Sequence, residues 1–192
     1  MDLKEGWVFI PGLTLLLALG AVLGKSLARE CRSRRDASIQ TVALVWAFTG
    51  VHFGLVVVAA AWSTWHFGVI APVAIGGVVL VAVGAAMSLA AAYAFRSLKR
   101  LNFLNHARLV TEGIYRWSRN PQLVGWTLVL VGLGLVRGSA MVLFLAGLVW
   151  VGYRLHLPAE EEHLRRVFGD AYETYLRRTH RYFGPPRQDA AE

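Results

Sequence analysis

Long apolar stretches separated by short polar segments are the dominant pattern of this chain of 192 residues, 56% of which are hydrophobic. A helix needs about 20 such residues to cross a hydrocarbon core about 30 Å thick. Five stretches approach or exceed that length, at residues 7–24, 41–62, 69–95, 122–136 and 139–157. The pattern predicts an all-α polytopic membrane protein with five transmembrane helices, forming a single integral membrane domain over residues 1–192.

The fourth and fifth stretches are expected to form a helical hairpin. The fourth has about 15 residues, which at 1.5 Å per residue reach only about 22 Å. Arg137, Gly138 and Ser139 separate it from the fifth stretch and suit a tight turn. Because a hairpin returns the chain to its starting side, the polar segments 101–121 and 158–183 are predicted to meet at one surface of the membrane.

Small residues and one histidine distinguish the apolar stretches from one another. Gly76, Gly77, Gly84 and neighbouring alanines give the third stretch a face suited to close helix packing. The glycines of segment 132–138 are interpreted in the same way, because a dinucleotide-binding glycine motif needs a preceding strand. His52 lies near mid-membrane, where it either makes a helix–helix hydrogen bond or marks a functional site.

The tail after residue 157 is predicted to form an interfacial helix. Pro158 suits the first turn of a new helix and marks a break from the fifth stretch. Gly169 interrupts the helix and would permit close backbone approach. Its apolar stripe, expected to lie against the bundle or in the headgroup layer, consists of Leu164, Val167, Phe168, Ala171, Tyr172, Tyr175 and Leu176.

The basic residues are distributed unevenly between the two ends of the predicted bundle. Of 20 Lys and Arg, only Lys4 and Arg137 fall at the end that holds the hairpin turn. The positive-inside rule then places the other end, with the C-terminus, in the cytoplasm and the N-terminus outside. The net charge of +8 is therefore a topology signal and not a sign of nucleic-acid binding, with attraction to anionic headgroups a secondary possibility.

Two further observations restrict the class of protein. The residues before the first stretch, Asp2, Lys4 and Glu5, do not form a basic signal-peptide start, so this stretch is expected to be a retained span. Cys31 is the only cysteine, which excludes an internal disulfide and a multi-cysteine metal site. No cluster of potential ligands suggests a metal.

The segment before the fourth stretch has the character of an anion site. Asn120 is a good N-cap and Pro121 a good first helical residue. The start of a helix presents unpaired N–H groups and the positive end of the helix dipole. Arg119 can add a bidentate contact to a carboxylate, while Tyr115 and Trp117 place aromatic surface beside it, as interfacial aromatic belts also do.

Three consecutive glutamates, Glu160, Glu161 and Glu162, form the complementary acidic block. A negative first turn stabilises a helix through its dipole, which accounts for any one of them. Three carboxylates on an otherwise basic face also mark a place for a cationic ligand. A basic block opposite an acidic block suits a zwitterion with an extra positive charge, and S-adenosylmethionine, with its carboxylate, ammonium and sulfonium, is such a molecule.

The two blocks together resemble the isoprenylcysteine carboxyl methyltransferase and phospholipid methyltransferase family of integral membrane enzymes. LVTEGIYRWSRNP, at 109–121, is similar to the family's Leu-Val-Thr-x-Gly-x-Tyr segment followed by Arg-His-Pro. The second block is similar to the family's Glu-Glu-x-x-Leu-x-x-x-Phe-Gly-x-x-Tyr-x-x-Tyr motif and begins at Glu160. The resemblance covers residues 101–183.

This resemblance implies S-adenosylmethionine as methyl donor and an amphiphilic or small apolar acceptor that reaches the site from the lipid. The cofactor-lining positions that it implies are Leu109, Val110, Tyr115, Asn120, Pro121, Gln122, Leu123 and Glu161, with Glu160 close by. Asn120 stands where the better-known motif has histidine, and both can hydrogen-bond a carboxylate. The arginine that eukaryotic members place near the substrate is not matched in register, and Arg154 or His156 is nearest. The candidate catalytic residues are thus Arg119, Glu161, Arg154 and His156.

The chemistry expected of such a site is simple. Methyl transfer from a sulfonium is an in-line displacement, for which the protein mainly supplies orientation and exclusion of water. A carboxylate or thiolate acceptor needs no base, whereas an amine or alcohol could use Glu161 or His156. The alternatives are an NADPH-dependent membrane reductase of the sterol reductase type and a non-enzymatic membrane scaffold or lipid-binding protein.

Overall fold

The protein is all-helical in the parts that the structure, a computed structural model, describes: residues 3–33, 38–62, 66–95 and 109–187. Part of the predicted segment 101–121, namely residues 101–108, lies outside these ranges. The helices are α1 (Leu3–Ser33), α2 (Ile39–Trp62), α3 (Ala71–Phe95), a short 3₁₀ helix (Gly113–Arg116), α4 (Pro121–Arg137), α5 (Ala140–Phe168) and α6 (Asp170–Arg178). The prediction of an all-α protein is confirmed for these residues.

Four of the helices, α1, α2, α3 and α5, are long and apolar enough to cross a membrane. The fourth predicted span corresponds to α4, a shorter apolar helix of 17 residues, which at 1.5 Å per residue is about 25 Å long. Many large apolar side chains are exposed on the outer surfaces of these helices, such as Ile75, Leu89 and Phe144. Water would not favour such a surface, and the chain is therefore an integral membrane protein with four candidate spans and one shorter helix.

Glycines allow α3 and α4 to pack backbone against backbone, as the small residues of the third stretch predicted. A methyl group built on Gly77 would lie 2.8 Å from the carbonyl oxygen of Gly132, and one built on Gly125 would lie 2.7 Å from that of Gly84. Such distances leave no room for a side chain at either crossing point. Gly76, by contrast, faces open space.

The buried core is formed mainly by α1, α2, α4 and α5. Its residues include Phe9, Leu16, Leu55, Val56, Leu130, Val142 and Leu145. His52 of α2 is also buried and lies near the backbone of Leu145 in α5, but its Nε2 has no hydrogen-bond partner among the described residues. Its two predicted roles, a helix–helix hydrogen bond and a functional site, both stay predictions.

The hairpin turn between α4 and α5 forms as predicted. Gly138 has a φ of 61°, which favours glycine, and ends α4. The Ser139 hydroxyl accepts a hydrogen bond from the backbone N–H of Val142 and so caps α5. Arg137 Nε donates to the carbonyl of Ala60 in α2, 2.9 Å away. These contacts fix the turn at the end of the bundle opposite the two polar blocks.

The predicted helix break at Pro158 is wrong, since α5 continues through this residue to Phe168. Proline lacks an N–H and removes one helical hydrogen bond, but Leu157, Glu161 and His163 around it are all buried and their packing favours a continuous helix. The helix ends instead at Gly169, whose φ is 52°. No atom of the described residues lies within 4 Å of a methyl group built there, so the close backbone approach expected at Gly169 is absent among them.

Candidate active site

The α4–α5 hairpin brings Arg119 and Glu161 together, although 42 residues separate them. Arg119 Nη1 donates to Glu161 Oε1 at 2.9 Å, and the two side chains are only 13% and 5% exposed. Arg119 ends the loop before α4, and Glu161 lies in the last turns of α5. The basic and acidic blocks therefore meet through one largely buried ion pair, which is a charge-assisted hydrogen bond.

A second guanidinium, that of Arg181, holds the same carboxylate. Its Nε donates to Glu161 Oε1 at 3.0 Å, and its Nη2 donates to Oε2. Hydrogen bonding to Glu161 raises the pKa of Arg181, so this guanidinium is always charged. Sequence reasoning missed Arg181 as a site residue, because nothing in the local pattern separates it from the other arginines of the tail.

Arg181 belongs to a segment that we call the C-terminal strap, residues 179–187, which lies over the loop before α4. The backbone N–H of Arg119 donates to His180 O at 2.9 Å, and Gly184 N donates to Trp117 O at 3.0 Å. The rings of Trp117 and Phe183 stack with centroids 6.0 Å apart. Backbone hydrogen bonds and aromatic stacking thus hold the strap against the loop.

Asn120 connects the loop to the strap and does not cap α4 with its side chain. Its Nδ2 donates to the carbonyl of Arg181 at 2.9 Å, while no side-chain hydrogen bond reaches the first turn of the helix. Its backbone N–H donates to Ser118 Oγ at 3.0 Å. The predicted side-chain cap is therefore wrong, whereas Pro121 does occupy the first turn as expected and is fully buried.

Three tyrosines pack behind the ion pair. The Tyr175 hydroxyl donates to the carbonyl of Tyr115 at 2.8 Å and joins α6 to the 3₁₀ helix. Burial raises the pKa of Tyr115 and of Tyr175. Burial, with a contribution from Glu161, also raises the pKa of Tyr172 to about 12. All three phenols are therefore neutral at physiological pH, and their hydroxyls are hydrogen-bond donors.

The remaining predicted cofactor-lining residues differ in how deeply they are buried around the ion pair and the three tyrosines. Leu123 is buried, Val110 and Glu160 are half-buried, and Gln122 is exposed. Leu109 lines a cavity of about 1000 Å³ between the loop before α4, α6 and the strap. Glu162 is exposed and pairs with Arg165 and Arg166, so it stabilises the helix surface and takes no part in the ion pair with Arg119.

Arg154 and His156 do not contact the cluster. Arg154 is exposed, and its Nη1 donates to the hydroxyl of Tyr182 at 3.4 Å. It precedes Glu161 by seven residues, which places both on one face of α5 about 10 Å apart. His156 lies against Gly24 of α1, and its Nδ1 is 2.6 Å from Gly152 O. A catalytic role for either residue stays a prediction.

A smaller cavity of about 410 Å³ opens beside the ion pair. Its lining is rich in positive charge and includes Arg119, Thr179, His180, Arg181 and Arg187. Within the described ranges, no group of three or more histidine, cysteine or acidic side chains could hold a metal ion. Around the two guanidiniums and one carboxylate, the described residues are therefore suited to binding an anionic or zwitterionic group.

Comparisons with known proteins identify the family to which the sequence is similar. A model of the phospholipid methyltransferase family matches residues 72–171, which contain α4, α5, Arg119 and all of α3 except its first residue. The chain is 35% identical over 71 residues to protein-S-isoprenylcysteine O-methyltransferase of Schizosaccharomyces pombe, over 36% of this chain and 30% of that protein. It is 32% identical over 105 residues to protein-S-isoprenylcysteine O-methyltransferase A of Arabidopsis thaliana, over 52% of this chain and 53% of that protein.

A third relative, a probable protein-S-isoprenylcysteine O-methyltransferase of Oryza sativa subsp. japonica, is 28% identical over 109 residues, with 54% of this chain and 57% of that protein covered. In these alignments the chain spans between about a third and somewhat over half of the relatives' own lengths. The family match lies over the hairpin and its two polar ends, where the ion pair is formed.

Proposed function

The chain belongs to the phospholipid methyltransferase family, and from that premise we propose that it transfers a methyl group from S-adenosylmethionine to an amphiphilic acceptor in the membrane. The observation that carries the proposal is the joint placement of Arg119, Glu161 and Arg181 at the polar end of the hairpin. The family match favours methyl transfer over the reductase and scaffold alternatives.

The residues present fit this cofactor. Its amino-acid end carries a carboxylate, which a guanidinium binds in a bidentate manner, and an ammonium, which a buried carboxylate accepts. Arg119 Nε is buried and has no hydrogen-bond partner among the described residues, as expected of a donor that awaits a ligand. Arg119 and Glu161 are thus suited to hold the amino-acid end.

Apolar and aromatic residues of the loop and of α4 would hold the rest of the cofactor. Leu109, Val110, Tyr115, Pro121 and Leu123 supply such surface, and three of them are buried. Asn120, Gln122 and Glu160 are the polar residues proposed to complete the lining. The bound cofactor supplies a methyl group that its sulfonium has already activated, so no metal is required.

The contributions of the protein to such a reaction are orientation and exclusion of water. Arg119 and Glu161 fix the polar end of the site because each is held by the other in a largely buried environment. The strap covers this end and shields it from solvent. Since Tyr172 stays neutral, it would donate a hydrogen bond without adding charge.

We propose a carboxylate as the methyl-accepting group, carried on an isoprenylcysteine-like or other lipid-like molecule. Three guanidiniums, those of Arg119, Arg181 and Arg187, line the smaller cavity or reach Glu161, so the positive charges outnumber the two carboxylates of Glu160 and Glu161. A site with surplus positive charge favours an anion over a phospholipid amine. A carboxylate is also nucleophilic without a base, and exposed Arg154 is proposed to contact it from the membrane side.

The orientation that we propose places the strap and the active site in the cytoplasm and the N-terminus outside. The distribution of basic residues supports it. Single cysteines replacing Gly68 and Arg177 in a Cys31→Ser background test it, since both positions are exposed. Labelling of position 177 by an impermeant reagent added to intact cells would rule out this orientation.

The function itself is tested with purified protein in lipid nanodiscs. Calorimetric titration should show binding of S-adenosylhomocysteine and none of NADPH. Incubation with methyl-labelled S-adenosylmethionine and N-acetyl-S-farnesylcysteine should give a label that alkali releases as methanol, as a methyl ester does and an N-methyl group does not. Binding of NADPH alone would contradict the proposal.

Substitution of Glu161 supplies a matched comparison. Glu161→Gln should weaken binding of S-adenosylhomocysteine at least tenfold, because it removes the charge that faces the ammonium. Glu162→Gln removes the same charge from an exposed position one residue away and should leave binding unchanged. Equal affinities for the two variants would remove Glu161 from the cofactor site.

A further inference from the structure

We propose that Arg181 is a positioning residue that occupies the Glu161 carboxylate in the cofactor-free protein and is displaced from it by the ammonium group of the cofactor. The inference rests on the proposed function, in which Glu161 accepts from that ammonium. It goes further by assigning to Arg181 an exchange of partners on cofactor binding.

The hydrogen bonds on Glu161 leave little room for an additional donor. A carboxylate offers about four lone-pair positions. Three are used, one by Nη1 of Arg119 and two by Nε and Nη2 of Arg181. An ammonium carries three donors, so it can be held well by Glu161 only after one guanidinium leaves.

Burial decides which guanidinium leaves. The side chain of Arg119 is 13% exposed, whereas that of Arg181 is 42% exposed. Separating Arg119 from Glu161 would leave a buried charge without a partner, which is unfavourable. Arg181 can turn into water, and its backbone can stay in place because Asn120 Nδ2 donates to Arg181 O and His180 O accepts from Arg119 N.

The space needed for the exchange is present next to the ion pair. The cavity of about 410 Å³ is lined by Arg119, His180, Arg181 and Arg187. A guanidinium that leaves Glu161 would enter this cavity or the solvent in front of it. Arg181 would then be free to face an anionic group there, such as the carboxylate of the acceptor.

The experiment compares two ligands and three proteins in nanodiscs. S-adenosylhomocysteine carries the ammonium, and 5′-methylthioadenosine keeps the nucleoside and thioether but lacks both the amino and carboxyl groups. Affinities are measured calorimetrically for the wild type, Arg181→Gln and the control Arg177→Gln. Arg177 is exposed on α6 and bonds only to Thr174 in the described contacts, so this variant makes the same change in net charge away from the site.

If the ammonium displaces Arg181, Arg181→Gln removes a competitor. S-adenosylhomocysteine should then bind about three- to tenfold tighter than to the wild type, as expected for loss of a partly exposed ion pair. Affinity for 5′-methylthioadenosine should stay within twofold of the wild type, and Arg177→Gln should change neither affinity. A purely structural role for Arg181 would instead lower both affinities together.

An equal or weaker affinity of Arg181→Gln for S-adenosylhomocysteine overturns the exchange. If Arg181→Gln does not fold, Arg181→Lys is measured in its place. Its ammonium cannot form the paired contact to both carboxylate oxygens, so a smaller gain in affinity is expected, and no gain overturns the proposal. A wild type that binds neither ligand would refute the proposed function itself, whereas a wild type that binds both without a gain in the variant refutes only the exchange.

Discussion

Replacing Asn120 by aspartate, serine or alanine tests whether this side chain anchors the C-terminal strap. In the structure its Nδ2 donates to Arg181 O at 2.9 Å. Loss of one such neutral hydrogen bond costs about 0.5–1.5 kcal/mol. Alanine and serine should both lose it, since the serine hydroxyl is one bond too short, and each should destabilise the protein by about 1 kcal/mol.

Aspartate should destabilise the protein at least as much as either. It places a carboxylate against the Arg181 carbonyl, so two acceptors face each other and the carbonyl loses its donor, which costs about 1–3 kcal/mol. A negative charge at the start of α4 stabilises the protein by about 0.3–1 kcal/mol through its interaction with the helix dipole. The net loss expected for Asn120→Asp is the difference between these two ranges, about 0–2.7 kcal/mol with a midpoint near 1.4 kcal/mol.

Thermal unfolding in detergent, followed by tryptophan fluorescence, measures these differences. A loss of 1 kcal/mol should lower the melting temperature by about 2–4 °C in a protein of this size. Hydrogen exchange of residues 179–187 should also accelerate in all three variants. If Asn120 served as a cap, aspartate and serine would match the wild type and only alanine would be destabilised. That order of stabilities would refute the anchoring role.

Three further substitutions test other parts of the structure. Gly84→Ala should destabilise the protein by about 1–3 kcal/mol because its methyl group would overlap the backbone of Gly125. The control Gly76→Ala places its methyl group in open space and should have the melting temperature of the wild type. Equal melting temperatures for the two variants would contradict the close packing of α3 and α4. His156→Asn should retain at least half of the methyl-transfer rate, since this ring faces α1, and a hundredfold loss would support the catalytic role predicted from the sequence. Tyr175→Phe leaves a buried carbonyl without its donor and should lower thermal stability by about 1–3 kcal/mol; an unchanged melting temperature would show that the hydrogen bond contributes little.

The sequence alone determined the helical character of the chain and the hairpin that closes the site. Both follow from local properties, because a bilayer selects apolar stretches of a given length and a turn at Gly138 returns the chain. The meeting of Arg119 with Glu161 was predictable for the same reason, since each lies at one end of the hairpin. The close packing at Gly77 and Gly84 likewise followed from the absence of side chains there.

The tertiary structure alone decided which charged and polar groups pair. Arg181 is one of several arginines in the tail, and only the return of the strap over the loop places it on Glu161, 20 residues away. Asn120 is a residue type that commonly caps helices, yet its Nδ2 donates to the carbonyl of Arg181 instead. Pro158 reads locally as a helix start, but burial of its neighbours on both sides keeps α5 continuous. Local preferences at such positions amount to about 1–3 kcal/mol, which contacts made far away in the chain can match or exceed.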